Sequence, residues 1–235
     1  MELKDKTYLI VGGSSGIGLE TVRALVRGGA AVTVWSRSKS DELSELEVDH
    51  QEVDVTSDLD EPTLPENLSG VGYFPGSINL APFERLKIDA FRSDFEINLL
   101  GAVRVFQLAV PAIAKSGGGS VVAVSTVAVQ TGMAYHTSVA AAKGALEGLI
   151  RSLAAEYAPK NVRVNAIAPS LTNTPMAGRL VSTDEKRERS AERHPLKRIG
   201  SPGEMAAAVC YLLGDESPWM TGQILHIDGG MSSVR

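Results

Sequence analysis

Glycine at positions 12, 16 and 18, within the run Tyr8–Leu19 (YLIVGGSSGIGL), is the strongest chemical signal in this 235-residue chain. An apolar stretch, Tyr8 to Val11, breaks into Gly12-Gly13-Ser14-Ser15-Gly16-Ile17-Gly18 and then opens a helical pattern with Val22, Leu25 and Val26 on one face. Each glycine has a physical task. Gly12 permits a sharp turn, Gly16 lets backbone approach a pyrophosphate, and Gly18 lets the helix pack against the strand. The helix N-terminus then offers free N–H groups and partial positive charge to phosphate. Such a triplet carries weight because it falls between a strand and a helix at the start of a βαβ unit. The chemistry implied is the binding of a dinucleotide.

The second strand ends in Trp35-Ser36-Arg37. An acidic side chain there would take the free ribose hydroxyls of NAD, whereas a cation accommodates the additional phosphate of NADP. Ser36 is small and neutral, and Arg37 presents a planar fork suited to phosphate. The reading is therefore NADP(H) in preference to NAD(H). Asp54, after the third strand, either accepts from an adenine amino group or caps the turn Thr56–Asp60.

The elements that must position these residues alternate along the whole chain, without a linker or low-complexity tract. Strands are expected at Tyr8–Val11, Ala31–Trp35, His50–Val53, Gly70–Phe74, Ser120–Val124, Val162–Ile167 and Gln223–Ile227. Helices are expected at Leu19–Arg27, Asp41–Leu46, Phe91–Ala114, Ala140–Tyr157 and Gly203–Leu213. Short β-branched strands separated by helices predict a Rossmann-type, doubly wound α/β fold. Its sheet is seven-stranded and mainly parallel, with helices on both faces, in one domain spanning residues 1–235. Thr56–Ser69 is too broken by Asp, Glu and Pro for a long helix. Leu171–Arg198 is the longest connection, read either as a cover over the strand ends or, in its charged part, as a solvated helical excursion.

Composition narrows the partners. A net charge of −5 without a block of like charge argues against nucleic acid or an anionic membrane. No apolar run is read as a membrane span, and the N-terminus has no signal-peptide character. The single cysteine, Cys210, fits a reducing compartment, and a cytoplasmic protein is expected. Small and apolar residues on more than one face of two helices (Ala102, Val105, Ala109; Ala141, Ala145, Leu149) suggest burial beyond the monomer, hence a homodimer or homotetramer.

Together these residues resemble the short-chain dehydrogenase/reductase family over nearly the whole chain. The family's TGxxxGxG is similar to Val11-Gly12 through Gly16 and Gly18, and its D-V after the third strand to Asp54-Val55. Its helix asparagine resembles Asn98, its lysine Lys143, and its N-x-x-x-P-G the segment Asn165–Ser170, with Pro169 in place and Ser170 where glycine is usual. Thr174 sits where a nicotinamide-carboxamide contact is usual, and Gly76 is all that remains of N-N-A-G, replaced here by Tyr73-Phe74-Pro75-Gly76. The resemblance implies that Asn98, Thr126 and Lys143 are catalytic, and that Gly12, Ser14, Ser15, Gly16, Ile17, Gly18, Ser36, Arg37, Asp54, Val55, Gly76, Lys143, Pro169 and Thr174 bind cofactor. It implies no metal.

The serine position of the family motif reads Thr126, and the tyrosine position of Y-x-x-x-K reads Val139. In the family a phenol gives the proton as hydride arrives, and a lysine four residues later, on the same helix face, lowers its pKa. Valine has no proton to give, a loss commonly worth ~10²–10⁴-fold. His136 is one surrogate acid. Tyr135 is another, although on a continuous helix it would lie about 12 Å from Lys143. Water is a third. The expected function is oxidoreduction of a small carbonyl/alcohol substrate. The alternative is a dinucleotide-binding sensor or partner subunit without turnover. Apolar Phe74, Pro75 and Val139 would line a drier cleft or simply pack in the core.

Overall fold

In the computed structural model, which describes residues 3–59 and 62–234, seven strands form one wholly parallel sheet in the order β3-β2-β1-β4-β5-β6-β7. These are β1 (Thr7–Val11), β2 (Ala31–Ser36), β3 (Asp49–Glu52), β4 (Gly70–Tyr73), β5 (Gly119–Val124), β6 (Val162–Pro169) and β7 (Ile224–Ile227). The chain reverses its direction of travel between β1 and β4, so a crevice opens at the carboxyl ends of those strands. Open α/β sheets bind ligands at that point. The expected strands are all present, their ends displaced by one or two residues.

The helices are α1 (Gly16–Arg27), α2 (Asp41–Ser44), α3 (Ile88–Phe95), α4 (Gly101–Lys115), α5 (Ala128–Thr131), α6 (Thr137–Tyr157), α7 (Asp184–Glu192) and α8 (Pro202–Leu213). Two apolar clusters cover the two faces of the sheet. One joins β1, β4 and β5 to α4 and α6 through Leu9, Tyr73, Phe106 and Leu146; the other joins the opposite face to α1 and α8 through Ile10, Val22, Leu25 and Val209.

Two expectations are corrected. The helix read as continuous over Phe91–Ala114 is two helices joined by a π-helical turn, Glu96–Leu100. The rod Ile88–Lys115 does reach membrane-spanning length and apolarity, but its apolar stripe of Ala102, Val105, Phe106 and Ala109 packs on the sheet. For the same reason Ala102, Val105 and Ala109 are core residues within the monomer, fully buried without a second subunit. Ala141 stays exposed, and Ala145 and Leu149 are half-buried.

Between β3 and β4 the chain forms turns, consistent with its broken composition, and Asp60 lies outside the described residues. The long connection holds a 3₁₀ segment, Pro175–Val181, and then α7, capped by Thr183, whose hydroxyl accepts from the Lys186 amide. Its first part covers the crevice. Its second, charged part stands in solvent.

Candidate active site

The crevice is a cleft of about 450 Å³ running from the β2 end past the glycine turn to the start of α6 and the 3₁₀ segment. Its geometry begins with the turn after β1. Gly12 has φ +80° and Gly16 φ +56°, left-handed conformations that a side chain would strain. A β-carbon on Gly18 would overlap the carbonyl oxygen of Gly12, so the start of α1 can press against the turn only as glycine. Ser14, Ser15, Gly16, Ile17 and Gly18 all line the cleft. A cradle that tolerates no side chain, at a helix N-terminus, fits a pyrophosphate.

At the β2 end, Ser36 is buried, and its hydroxyl donates to the Ser38 carbonyl at 2.9 Å and meets His50 Nε2 at 2.9 Å. Arg37 is exposed and lines the cleft beside it. Burial, with Lys39 nearby, holds the His50 imidazole below its usual pKa. Asp54 does cap: its Oδ1 accepts from the Thr56 amide at 2.9 Å and from the Thr56 hydroxyl at 2.8 Å, and these bonds hold its pKa below the usual carboxylate range. Asp54 and Val55 both remain on the cleft wall.

Thr126 and Ser125 follow β5 and divide the work. Ser125 is buried and donates to Glu147 Oε1 at 2.7 Å, toward α6. The Thr126 hydroxyl accepts from the Ala128 amide at 3.3 Å and lies on the cleft. Lys143 is 6 % exposed, and its Nζ donates to the Val124 carbonyl at 2.6 Å. Burial brings its pKa down to about 8, with the Asp94 charge opposing that fall. Val139, one turn earlier on α6, is buried and lines the cleft with Phe74 and Pro75. These three apolar residues form one wall.

Asn98 sits in the π-helical turn, fully buried. Its Nδ2 donates to the Asp94 carbonyl at 2.8 Å and to the Ser77 hydroxyl at 3.0 Å, while Oδ1 has no protein partner. Asn98 therefore bonds its own helix and also lines the cleft. A β-carbon on Gly76 would lie 3.0 Å from Asn98 Oδ1 and 3.6 Å from Lys143 Nζ, so glycine there keeps the amide oxygen and the ammonium in one small space.

The surrogate acids separate. Tyr135 lies in the loop before α6 with φ +69° and 57 % exposure, and it does not line the cleft. His136 lines the cleft; its Nδ1 donates to the Ala134 carbonyl at 2.7 Å, which leaves Nε2 without a bond among the described residues. Thr174 caps the 3₁₀ segment, accepting from the Ala177 amide, and its Cβ lies near Gly16, so the covering segment closes against the phosphate turn. Pro169 ends β6 on the same cleft.

Several site residues escape sequence reasoning. Ser77, on the cleft wall, and half-buried Asn79 meet the fully buried Asp94 behind it, and Ser170 pairs with His194 Nε2 at 2.8 Å. Met176, Leu180, Arg193 and Met231 also line the cleft. Only Asp94 leaves a signal: a charge four residues before Asn98, on the face of the helix that carries it.

A family model described as enoyl-(acyl carrier protein) reductase matches residues 11–232. The chain belongs to the short-chain dehydrogenase/reductase family. It is 34 % identical over 250 residues to 3-oxoacyl-[acyl-carrier-protein] reductase FabG of Thermotoga maritima, covering 98 % of this chain and 99 % of that protein. It is 32 % identical over 239 residues to bovine L-xylulose reductase, covering 98 % of each. Among solved structures, a short-chain dehydrogenase/reductase from Mycobacterium ulcerans superimposes with TM-score 0.89 at 27 % identity, over 100 % of this chain and 92 % of that one. A Beutenbergia cavernae protein, described as a NAD(P)-dependent gluconate 5-dehydrogenase and carrying NADP at low occupancy, superimposes with TM-score 0.91 at 27 % identity, over 98 % of each chain. The shared fold implies NAD(P) binding, and the named relatives are oxidoreductases.

Proposed function

We propose that this chain is an NADP(H)-dependent oxidoreductase of a small carbonyl/alcohol pair, working in a reaction centre without a phenol. The observation that carries the reading is one cleft joining the glycine turn, Arg37, Asn98, Thr126 and Lys143, with Val139 one turn before the lysine. Among the described residues, no tyrosine lines that cleft.

The turn Gly12–Gly18 would take the pyrophosphate, Ser36 and Arg37 the phosphate on the adenosine ribose, Lys143 the nicotinamide ribose, and Pro169 and Thr174 the nicotinamide end. A bound nicotinamide supplies or accepts the hydride. The chain's own residues handle oxygen and proton. The Thr126 hydroxyl donates to the substrate oxygen and orients it. The buried Lys143 ammonium places positive charge beside it, where low dielectric strengthens the effect. Protons reach the oxygen from water or from His136 Nε2 when that imidazole is charged. The apolar wall of Phe74, Pro75 and Val139 suits a hydrophobic substrate. The cofactor preference rests on Ser36, neutral where an acidic residue would select NAD, followed at once by Arg37. Small and apolar positions on α6 (Ala141, Ala145, Leu149) support a homodimer or homotetramer, and free, buried Cys210 supports a reducing, cytoplasmic setting.

Fluorescence titration with NADPH and NADH, followed by hydride transfer across a panel of ketones and alcohols, tests the reading. NADPH should bind more tightly and be oxidised by at least one class of carbonyl. Binding without any transfer would leave a nucleotide-binding protein. No binding of either nucleotide overturns the reading.

A further inference from the structure

Asp94 is a fully buried carboxylate on α3, and among the described residues no cation lies within salt-bridge distance of it. Ser77 and Asn79 both donate to its Oδ1, the latter at 2.7 Å, and its buried Oδ2 has no partner at all. Two donors aimed at one oxygen are the partners that an acceptor-only carboxylate takes. An uncompensated buried charge is expensive, so a counter-charge is expected near it. Ser77 and Asn98 line the cleft in front of Asp94, Gly76 leaves the gap between Asn98 Oδ1 and Lys143 Nζ, and the Lys143 ammonium is itself buried without a salt bridge.

Other charged groups near Lys143 are already engaged. Glu147, one turn further on α6, accepts from Ser125 and pairs with Arg151 at 3.1 Å. Glu96 in the π-helical turn pairs with Arg104 at 2.7 Å. Asp89 and Arg92 on α3 pair with each other in solvent. Segment 74–81 and the end of β5 carry no charge. His136, Arg193 and His194 also line the cleft, and Arg37 and Asp54 lie at its β2 end.

We propose that Asp94 is the counter-charge of Lys143: a positioning residue that acts through space, behind Asn98 and Gly76, to keep the lysine an ammonium inside the cleft. The inference deepens the cofactor reading, because that ammonium is the group assigned to the ribose. Its test needs no cofactor and can fail separately.

The measurement is NMR on cofactor-free protein carrying carbon-13 at lysine Cε and at aspartate carboxyl carbons, with Lys143 assigned by Lys143→Arg. In the wild-type protein the Lys143 resonance should titrate near pH 8, and the Asp94 carboxyl resonance should step at the same midpoint. In Asp94→Asn the lysine midpoint should fall by about one to three pH units, a tenfold or greater rise in acid dissociation. Ser77→Ala, which removes a hydrogen bond and keeps the charge, should leave the midpoint in place. An Asp94 resonance that ignores the lysine step overturns the inference without any variant having to fold. So does an unchanged midpoint in folded Asp94→Asn, or an equal fall in Ser77→Ala.

Discussion

Val139 and Lys143 stand on successive turns of one face of α6, both buried and both on the cleft wall, the first unable to give a proton and the second bonded to the Val124 carbonyl at 2.6 Å. Val139→Tyr should therefore place a phenol next to an ammonium already in position. Any carbonyl reductase activity should rise by ~10-fold or more, within the range of general acid catalysis. NADPH affinity should hold. The larger ring enters a packed wall, so the melting free energy should drop by about 1–3 kcal/mol. Steady-state kinetics beside a thermal melt checks both. Unchanged activity in a folded variant would count against this assignment of the cleft.

The Lys143 ammonium sets opposite pH trends for stability and for binding. Its pKa in the folded protein is about 8 against an ordinary value of 10.5, so above pH 8 the unfolded chain holds more protons than the folded one. Folding stability of the cofactor-free protein should then rise between about pH 8 and 10.5, by at most about 3 kcal/mol from this group. NADPH affinity should fall over the same interval, as the charge proposed to hold the ribose is lost. Urea melts and fluorescence titrations at pH 7, 8 and 9.5 read the two trends. Lys143→Met should flatten both.

Two glycines should respond in opposite ways to the same methyl group. Gly18→Ala drives a β-carbon into the Gly12 carbonyl, so it should destabilise the fold by a few kcal/mol and abolish dinucleotide binding. Gly148→Ala, in α6 with nothing within 4 Å of the added carbon, should stabilise the monomer by about 0.5–1 kcal/mol through helix propensity. Paired melts decide this. A loss at Gly148 accompanied by a smaller particle in sedimentation would show that a second subunit packs on this face of α6.

Arg37→Ala should weaken NADPH by about tenfold or more while leaving NADH within twofold, since a charge-assisted fork to phosphate is worth roughly 1.5–3 kcal/mol. Nucleotide titrations of the variant check it. Equal losses for both nucleotides would show that Arg37 does not read the phosphate.

The phosphate turn and the order of elements were legible because they depend on local backbone rules: Gly12 and Gly16 must occupy left-handed φ, and β-branched runs between helices must form parallel strands. Thr126 was separable from Ser125 only by resemblance until the Ser125–Glu147 bond fixed which hydroxyl turns inward. Tyr135 was misleading, because whether a loop side chain points into a cleft depends on the path of the whole loop, which no spacing reveals. The cluster of Asp94, Ser77 and Asn79 was out of reach for a related reason. Ser77 and Asn79 lie 17 and 15 residues before Asp94 and meet it only because the loop after β4 folds against α3. The π-helical turn left no periodic trace, since five residues are too few to shift a pattern read over two dozen.

That wide turn has a consequence for how this protein could have arisen or could be lost. A π-helical turn holds one residue more than an α-helical turn at nearly the same rotation, so deleting one residue between Phe95 and Gly101 would restore ordinary winding and leave α3 and α4 close to their present phase. What would go is the widened turn itself, which carries Asn98 with its amide oxygen unpaired among the described residues. One surplus amino acid thus shapes the wall of the cleft without changing how the helices on either side of it pack.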